Sequence, residues 1–236
     1  KAAIESKEEI EALFGDSTEM VFIACGMGGG TGTGAAPVIA EIAKNCGKLT
    51  VGVVTIPFRD EGPEQIYRAI EGIKELNRHV DSILIVDNEK LYEIYGSIDV
   101  FSGFPKADEV LATAVQSIAD IITSSGHINV DFADVKKIMQ NSGVSLMGIG
   151  TASGANRISE AVEKAFISPL LNELDLKTAQ NALVNIASSS EPGKALEFSE
   201  LREIMENVRS YIGETKKFKR GIAKNDALDD SISVTI

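Results

Sequence analysis

The chain has 236 residues, enough for one large domain or two small ones with a sizeable core. Its 35 acidic and 23 basic residues give a net charge of −12, which argues against nucleic acid or a membrane surface as partner. Cys25 and Cys46 are too few for a disulfide scaffold or a metal site, and we expect them to be buried in a reducing cytosol. No apolar run has the length of a membrane helix, so we expect no direct membrane insertion.

The N-terminal half alternates helical and strand-like patterns. Its strand-like runs are continuously apolar and rich in β-branched residues, as in parallel strands covered on both faces. This order predicts an α/β fold with a doubly wound parallel sheet, whose ligands bind at the carboxyl ends of the strands. Helices are predicted over 1–14, 35–46 and 63–78, and strands over 20–25, 49–56 and 82–86.

A glycine-rich run over 26–34 follows the first strand directly. Glycines let backbone N–H groups approach an anion, and the next helix adds its free N–H groups, so the run predicts a phosphate site. The P-loop lysine is absent, and Gly30 to Ala35 fits the dinucleotide fingerprint G-x-G-x-x-A only weakly. The alternative is a tight strand–helix corner, which needs fewer glycines. The phosphate-binding candidates are Gly28, Gly29, Gly30, Thr31, Gly32, Thr33 and Gly34.

The pattern changes after a long helix predicted over 106–124. Helices and strands then follow in an order typical of an α+β domain. We therefore expect a first domain over 1–104, a connecting helix over 105–126 and a second domain over 127–236. In the second domain, helices are predicted over 132–140, 156–167 and 198–211, and strands over 144–150, 181–188, 217–223 and 231–236.

Two pairs of residues could carry chemistry at helix starts. Asp131 and Asp134 could polarise a water or hold a cation, or Asp131 could simply cap its helix. Asp108 could accept the two donors of a guanine edge while Phe104 stacks on the base, or the two could shape the entry of their helix. Judged from the spacing alone, the second alternative, a role in shaping the start of the helix, is favoured for both pairs.

Glu61 and Asn88 follow the second and third predicted strands, where a ligand would be reached. Glu61 could bond a ribose hydroxyl, and Asn88 could meet a base edge. Both are equally good turn residues.

Together these residues resemble the tubulin/FtsZ family of GTPases, in its bacterial cell-division form. The signature G-G-G-T-G-T-G stands at 28–34, and further motifs follow in the family's order across the whole chain. They are Thr55-Ile56-Pro57-Phe58, Glu61-Gly62, Asn88, Phe104-x-x-Ala107-Asp108, Asn129-x-Asp131-Phe132-Ala133-Asp134, Met147-Gly148-Ile149-Gly150, Ala152-Ser153-Gly154-x-Asn156-Arg157 and Ser168-Pro169-Leu170-Leu171.

The resemblance implies a cytoplasmic GTPase that assembles head to tail with copies of itself and joins other division-ring proteins at mid-cell. The run 28–34 would hold the phosphates of GTP or GDP, with Mg²⁺ bridging them, and Glu61 would meet the ribose. Asn88, Phe104 and Asp108 would hold guanine. The loop with Asn129, Asp131 and Asp134 would act catalytically on the next subunit's GTP, which makes 127–236 a GTPase-activating domain.

Two departures from the family pattern lead to further expectations. Three residues after Glu61-Gly62 the family usually has an arginine that helps to grip the nucleotide, whereas this chain has Gln65, with Arg59 and Arg68 nearby as substitutes. Family segments before residue 1, including a first phosphate loop, are missing from this stretch, so its GTP-binding domain is incomplete. We expect these 236 residues alone to bind GTP poorly, to hydrolyse it negligibly and to expose a sheet edge open to pairing or swapping between copies.

Two other functions compete. A dinucleotide-dependent oxidoreductase rests on G-x-G-x-x-A alone and would prefer NAD to GTP. A family member that binds GTP for positioning and barely hydrolyses it would fit the neutral Gln65.

Overall fold

The computed structural model describes residues 2–90, 92, 100–123, 126–128, 130–167 and 176–236. It divides into two compact units, Lys1–Val115 with Met139–Leu146 and Gln116–Ile138 with Met147–Ile236. The helices are α1 Ala2–Glu5, α2 Lys7–Leu13, α3 Gly30–Asn45, α4 Pro63–His79, α5 Val100–Thr123, α6 Phe132–Met139, α7 Arg157–Phe166 and α8 Phe198–Ile212. The strands are β1 Met20–Gly26, β2 Leu49–Ile56, β3 Ser82–Asp87, β4 Gly126–Ile128, β5 Gly143–Ser145, β6 Ile149–Ala152, β7 Asn181–Ser188, β8 Lys217–Lys224 and β9 Ile232–Thr235.

The first unit contains a parallel sheet in the order β1-β2-β3-β5. Gly26 pairs with Thr55 and Ile56 with Asp87, so the first three strands end at one edge. Every residue of β2 but the last is buried, as expected for a strand covered on both faces. The structure confirms the predicted α/β fold and places the ends of β1 to β3 together.

A buried carboxylate, that of Asp81, bonds to the chain at the amino ends of the strands, opposite the edge where β1 to β3 end. Asp81 Oδ2 accepts the backbone N–H of Thr50 at 3.0 Å, and Lys44 lies 3.6 Å from Oδ1. The Ser82 and Ser145 hydroxyls bond each other at 2.6 Å, which ties β5 to β3. The serine pair adds a side-chain bond to the backbone pairing of β5, a strand of only three residues.

The second unit contains a mixed sheet in the order β4-β8-β7-β9-β6. Strands β7 and β8 are parallel, whereas the β4–β8, β7–β9 and β6–β9 pairs are antiparallel. Alternate residues of β7 are buried, and Val184 and Ile186 form one core with Val162 of α7 and Ile204 of α8. One face of the sheet therefore packs against helices, in agreement with the predicted α+β order.

Some predicted elements differ in the structure. The helix predicted over 1–14 is two short helices, and α3 begins at Gly30 rather than 35 because the glycines themselves adopt helical geometry. The strand predicted over 144–150 is two strands, β5 in the first sheet and β6 in the second. The helix predicted from 106 begins at Val100, and β4 was not predicted. The proposed domain boundaries at 104, 105–126 and 127 stay a prediction.

Both cysteines are free thiols and half-buried, less buried than expected. Burial raises the pKa of the Cys25 thiol, which favours its unreactive protonated form. Within the described ranges, no helix is long and apolar enough to cross a membrane.

Candidate functional site

The glycine run makes a tight turn at the carboxyl end of β1. Gly28 has φ +102°, and its N–H donates to Thr33 Oγ1 at 2.9 Å, while the N–H of Met27 donates to Thr55 O at 3.0 Å. A residue with a side chain would be strained at that φ. The turn thus closes on the first turn of α3, and the Thr33 hydroxyl still has its own hydrogen to donate.

The glycines of the run fall into two groups. A Cβ at Gly32 would lie 2.2 Å from the carbonyl oxygen of Gly26, so only glycine lets α3 pack against the end of β1. Gly29, Gly30 and Gly34 are exposed, and a Cβ there would meet no atom within 4 Å. These three open glycines leave the backbone accessible to a ligand.

The N-terminus of α3 is built from these open residues. Gly29 occupies the N-cap in an extended conformation and contributes no side-chain cap. The first N–H groups of a helix lack intrahelical acceptors and lie at its positive end. This terminus is therefore suited to bind an anion such as a phosphate.

Two residues of α4 lie beside the glycine run. The carbonyl oxygen and Oε1 of Gln65 come within 3.0 and 3.4 Å of a Cβ built at Gly28. Arg68 lines a depression of about 410 Å³ together with Gly29, Gly30 and Gly34. Its guanidinium pairs with Glu64 at 2.5 Å, and both side chains are exposed. The guanidinium of Arg68 is thus close enough to the glycine run to pair with a bound phosphate, whereas Gln65 offers only uncharged groups there.

Glu61 and its neighbours form an acidic rim after β2. Glu61 Oε1 accepts the Phe58 N–H at 3.0 Å, and the backbone N–H of Arg59 donates to Glu89 at 3.0 Å. The Tyr92 ring lies 4.7 Å from the Phe58 ring. Partial burial, then the carboxylates of Asp60, Glu89 and Glu61, raise the pKa of the Tyr92 phenol. Sequence reasoning missed Tyr92, since only the folded chain brings it to this rim.

Asn88 lies just beyond the carboxyl end of β3. Its backbone N–H donates to Ile56 O at 3.3 Å. Its side-chain Oδ1 is buried and has no hydrogen-bond partner among the residues that the structure describes. Buried polar atoms are rarely left unpaired, because each costs about 1–3 kcal/mol. This oxygen is therefore available to a donor supplied by a ligand.

The two acids of the second unit have partners of their own. Asp131 Oδ1 accepts the Asp134 N–H at 2.8 Å, so Asp131 does cap α6, the alternative reading of this pair. Asp134 Oδ1 lies 2.6 Å from Lys219 Nζ. Sequence reasoning missed Lys219, although the alternation of Lys217 and Lys219 along β8 places both on one face.

Several predicted residues cannot be placed from their side chains. Asn129 and the motif over 168–171 lie outside the described residues. Phe104 and Asp108 lie in α5, but their side chains are likewise outside what the structure describes. The roles predicted for all these residues stay predictions.

Comparison with known proteins identifies two matching family descriptions. Residues 1–96 match "Tubulin/FtsZ family, GTPase domain", and residues 143–236 match "FtsZ family, C-terminal domain". The cell division protein FtsZ of Azotobacter vinelandii is 48% identical over 237 aligned residues, covering all of this chain and 59% of the relative. The chain spans about 60% of the length of the curated relatives that it matches.

Solved structures agree with these matches. An FtsZ dimer of M. jannaschii, described as empty, has a TM-score of 0.88 at 43% identity, covering 99% of this chain and 66% of that chain. A W319Y mutant of FtsZ from M. jannaschii has a TM-score of 0.85 at 43% identity, covering 99% of this chain and 69% of that one.

Proposed function

The chain belongs to the FtsZ family of tubulin-like cell-division GTPases, and on that basis we propose that it binds and hydrolyses GTP as it assembles head to tail. Its partners are then further copies of itself and other division-ring proteins, at the mid-cell division site in the cytoplasm. The dinucleotide reading has no support beyond its short motif and is set aside.

The glycine run fits a nucleoside triphosphate. In this proposal the run 28–34 wraps the phosphates, with the open Gly29, Gly30 and Gly34 at the closest approach. The N–H groups that bind the phosphate oxygens are the free ones at the start of α3, since the Gly28 N–H already donates to Thr33. Arg68 adds a positive charge beside them. Mg²⁺ held with the nucleotide would neutralise phosphate charge. Glu61 binds the ribose hydroxyls through its exposed carboxylate.

The observation that carries the nucleotide assignment is the orphaned Oδ1 of Asn88 on the sheet edge where the glycine run begins. An acceptor held there needs a donor, and the guanine edge carries an N–H and an amine. Phe104 and Asp108 complete the base site in this proposal. Phe104 stacks on the base, and Asp108 accepts the ring N–H and one hydrogen of the amine, which leaves the second amine hydrogen for Asn88.

The acids of the second unit act on a neighbouring copy. Asn129, Asp131 and Asp134 would enter the next molecule's nucleotide site, where the carboxylates accept hydrogen bonds from the attacking water and orient it. A head-to-tail contact leaves one unused surface at each end, so in this proposal, where it does not close into a ring, it propagates as a filament. Hydrolysis therefore depends on assembly.

Phosphate release from the native protein, measured against protein concentration, tests this proposal. We expect GTP to bind in preference to ATP and NAD, and release to rise steeply above a threshold concentration. Asp131→Ala and Asp134→Ala should keep GTP affinity and lose the assembly-dependent turnover. A variant that instead loses GTP binding while it still polymerises would show that these acids do not act in trans.

The neutral Gln65 beside Gly28 favours a second candidate, a family member that binds GTP for positioning with little hydrolysis. It predicts the same GTP preference but phosphate release that stays flat as concentration rises. The same assay separates the two functions.

The expectation of weak GTP binding by these 236 residues alone remains a prediction. Titration with GTP and Mg²⁺ should show no micromolar affinity. The expected pairing or swapping through an exposed sheet edge is tested separately by light scattering at high concentration, which should show self-association. A strictly monomeric protein would contradict that second expectation.

A further inference from the structure

Two lysines on one face of β8 bond to residues of helix α6. Lys217 Nζ donates to the Lys137 carbonyl at 2.9 Å, and Lys219 Nζ pairs with Asp134 at 2.6 Å. A Cβ at Gly221 would lie 2.8 Å from Val130, in the segment that leads into α6. Because side chains alternate along a strand, these three positions share one face.

The two lysines of this row do different things. Lys217 bonds the backbone near the end of α6, where carbonyl groups lack intrahelical donors. Lys219 bonds the Asp134 side chain itself. The Asp134 side chain is 17% exposed and that of Lys219 is 45% exposed, so solvent screens this pair only in part.

We propose that Lys219 is a positioning residue for GTP hydrolysis, which holds the Asp134 carboxylate in the orientation that it uses on the neighbouring molecule's nucleotide. This inference rests on the proposed function, since it requires Asp134 to act on the next copy. The ion pair restricts the Asp134 side chain before assembly, so less freedom is lost when the two copies meet.

Charge gives a second reason. A carboxylate that approaches a triphosphate is repelled by its negative charges, and a lysine ammonium 2.6 Å away offsets part of that repulsion. Lys219 belongs to the same copy as Asp134, whereas the nucleotide on which Asp134 acts is bound to the neighbouring copy. Its loss should therefore affect turnover in the assembled state and leave GTP affinity unchanged.

The test compares Lys219→Met, Lys219→Arg and Lys217→Met in the native protein. The measurements are GTP affinity, the threshold concentration for assembly, the maximal rate of phosphate release and the melting temperature. Lys219→Met should lower the maximal rate, measured well above the threshold, about tenfold and leave GTP affinity unchanged. The threshold should stay the same or rise, because the lost pair also favoured the approach of the two copies. Lys219→Arg, which keeps the charge, should stay within about twofold of the wild type. Lys217→Met is the matched control on the same face. Its rate should also stay within about twofold of the wild type, because Lys217 bonds to α6 without contacting Asp134.

Three results would overturn the proposal. Equal rate losses in Lys217→Met and Lys219→Met would mean that the row only docks α6. A fall in the rate of phosphate release that tracks a fall in melting temperature would likewise mean that Lys219 only stabilises the packing of α6. A normal rate in Lys219→Met, in a protein where Asp134→Asn abolishes turnover, would reject the positioning role and leave the proposed function standing. If Asp134→Asn also turns over normally, the trans-acting role of Asp134 fails and the role of Lys219 fails with it.

Discussion

Arg157 and Glu200 form a two-bonded ion pair in the second unit, with Nε to Oε1 at 2.8 Å and Nη2 to Oε2 at 2.7 Å. Arg157 is 9% exposed, and its guanidinium also donates to the carbonyls of Lys194, Ala195 and Asp230. It therefore joins the start of α7 to the start of α8 and to two loops. Bidentate pairs of this kind are the strong ones among ion pairs.

We expect Arg157→Met to destabilise the protein by about 2–4 kcal/mol. The half-buried Glu200 carboxylate loses its cation and keeps only the Glu197 N–H, and three carbonyls lose a donor. The free energy of unfolding in urea measures this. Arg202→Met is the matched control, since Arg202 pairs with Glu206 at 3.0 Å with both side chains exposed. The control should change stability by less than about 0.5 kcal/mol. Equal effects would contradict a special role for Arg157.

The same pair predicts a pH dependence. The hydrogen bond from Arg157 holds the pKa of Glu200 below its ordinary 4.5. A carboxyl with a lowered folded-state pKa stabilises the protein above its unfolded pKa, and that stability is lost as pH falls through the folded value. The stability difference between wild type and Glu200→Gln should thus be largest near neutrality and shrink below about pH 4.5. A difference that stays constant through this range would contradict the prediction.

The two groups of glycines predict opposite changes in stability. Gly32→Ala should destabilise the protein by about 1–3 kcal/mol, because its Cβ meets the Gly26 carbonyl. Gly34→Ala should stabilise it by about 0.5–1 kcal/mol, because alanine suits an open helical position. Gly34→Ala should also weaken GTP binding if phosphate approaches there. Melting temperature and calorimetric titration measure both effects, and a Gly32→Ala protein as stable as wild type would refute the packing argument.

Asn88→Leu should weaken GTP binding by about 1–3 kcal/mol without lowering the stability of the free protein, because Oδ1 has no described protein partner to lose. Asn181→Leu is the control of the same residue type. Asn181 Nδ2 donates to the Ile138 carbonyl at 3.0 Å, so this variant should lose stability and keep GTP affinity. If Asn88→Leu instead lowers stability and leaves affinity intact, Asn88 is a structural residue.

Two arginines of α4 provide a matched pair for the phosphate charge. Arg68 and Arg78 each pair with a glutamate at 2.5 Å, but Arg68 lies at the depression beside Gly29 and Gly30. Arg68→Gln should cost about 1.5–3 kcal/mol of GTP binding, as for other charge-assisted contacts. Arg78→Gln should cost nothing measurable. Equal affinities for the two variants would show that Arg68 does not replace the arginine missing at 65.

The sequence predicted the elements whose pattern is long and internally consistent. Strands β1 to β3 are continuous apolar runs, and their parallel order placed the glycine turn, Glu61 and Asn88 at one edge. Strands β5 and β6 have three and four residues, too few for a periodic signal, and their partners decide which sheet each joins.

In the candidate site, too, the sequence predicted residues that are adjacent in the chain but not contacts between distant ones. The glycine run was predicted because all its residues are adjacent in the chain. The place of Arg68 beside Gly29 depends on how α4 packs against α3, where a Cβ at Gly72 would come within 2.5 Å of Thr33. Lys219 meets Asp134 from a distant strand, and no local pattern links them.

With Lys219 in its proposed role, the row formed by Lys217, Lys219 and Gly221 makes the length of β8 a determinant of turnover. One residue inserted between 217 and 219 would place the two lysines on opposite faces of β8, so that they could no longer bond to α6 together. The same insertion at 213–215, between α8 and β8, would leave the face intact. Insertions should thus be tolerated around β8 and not within it, even though β8 itself contributes no acid to hydrolysis.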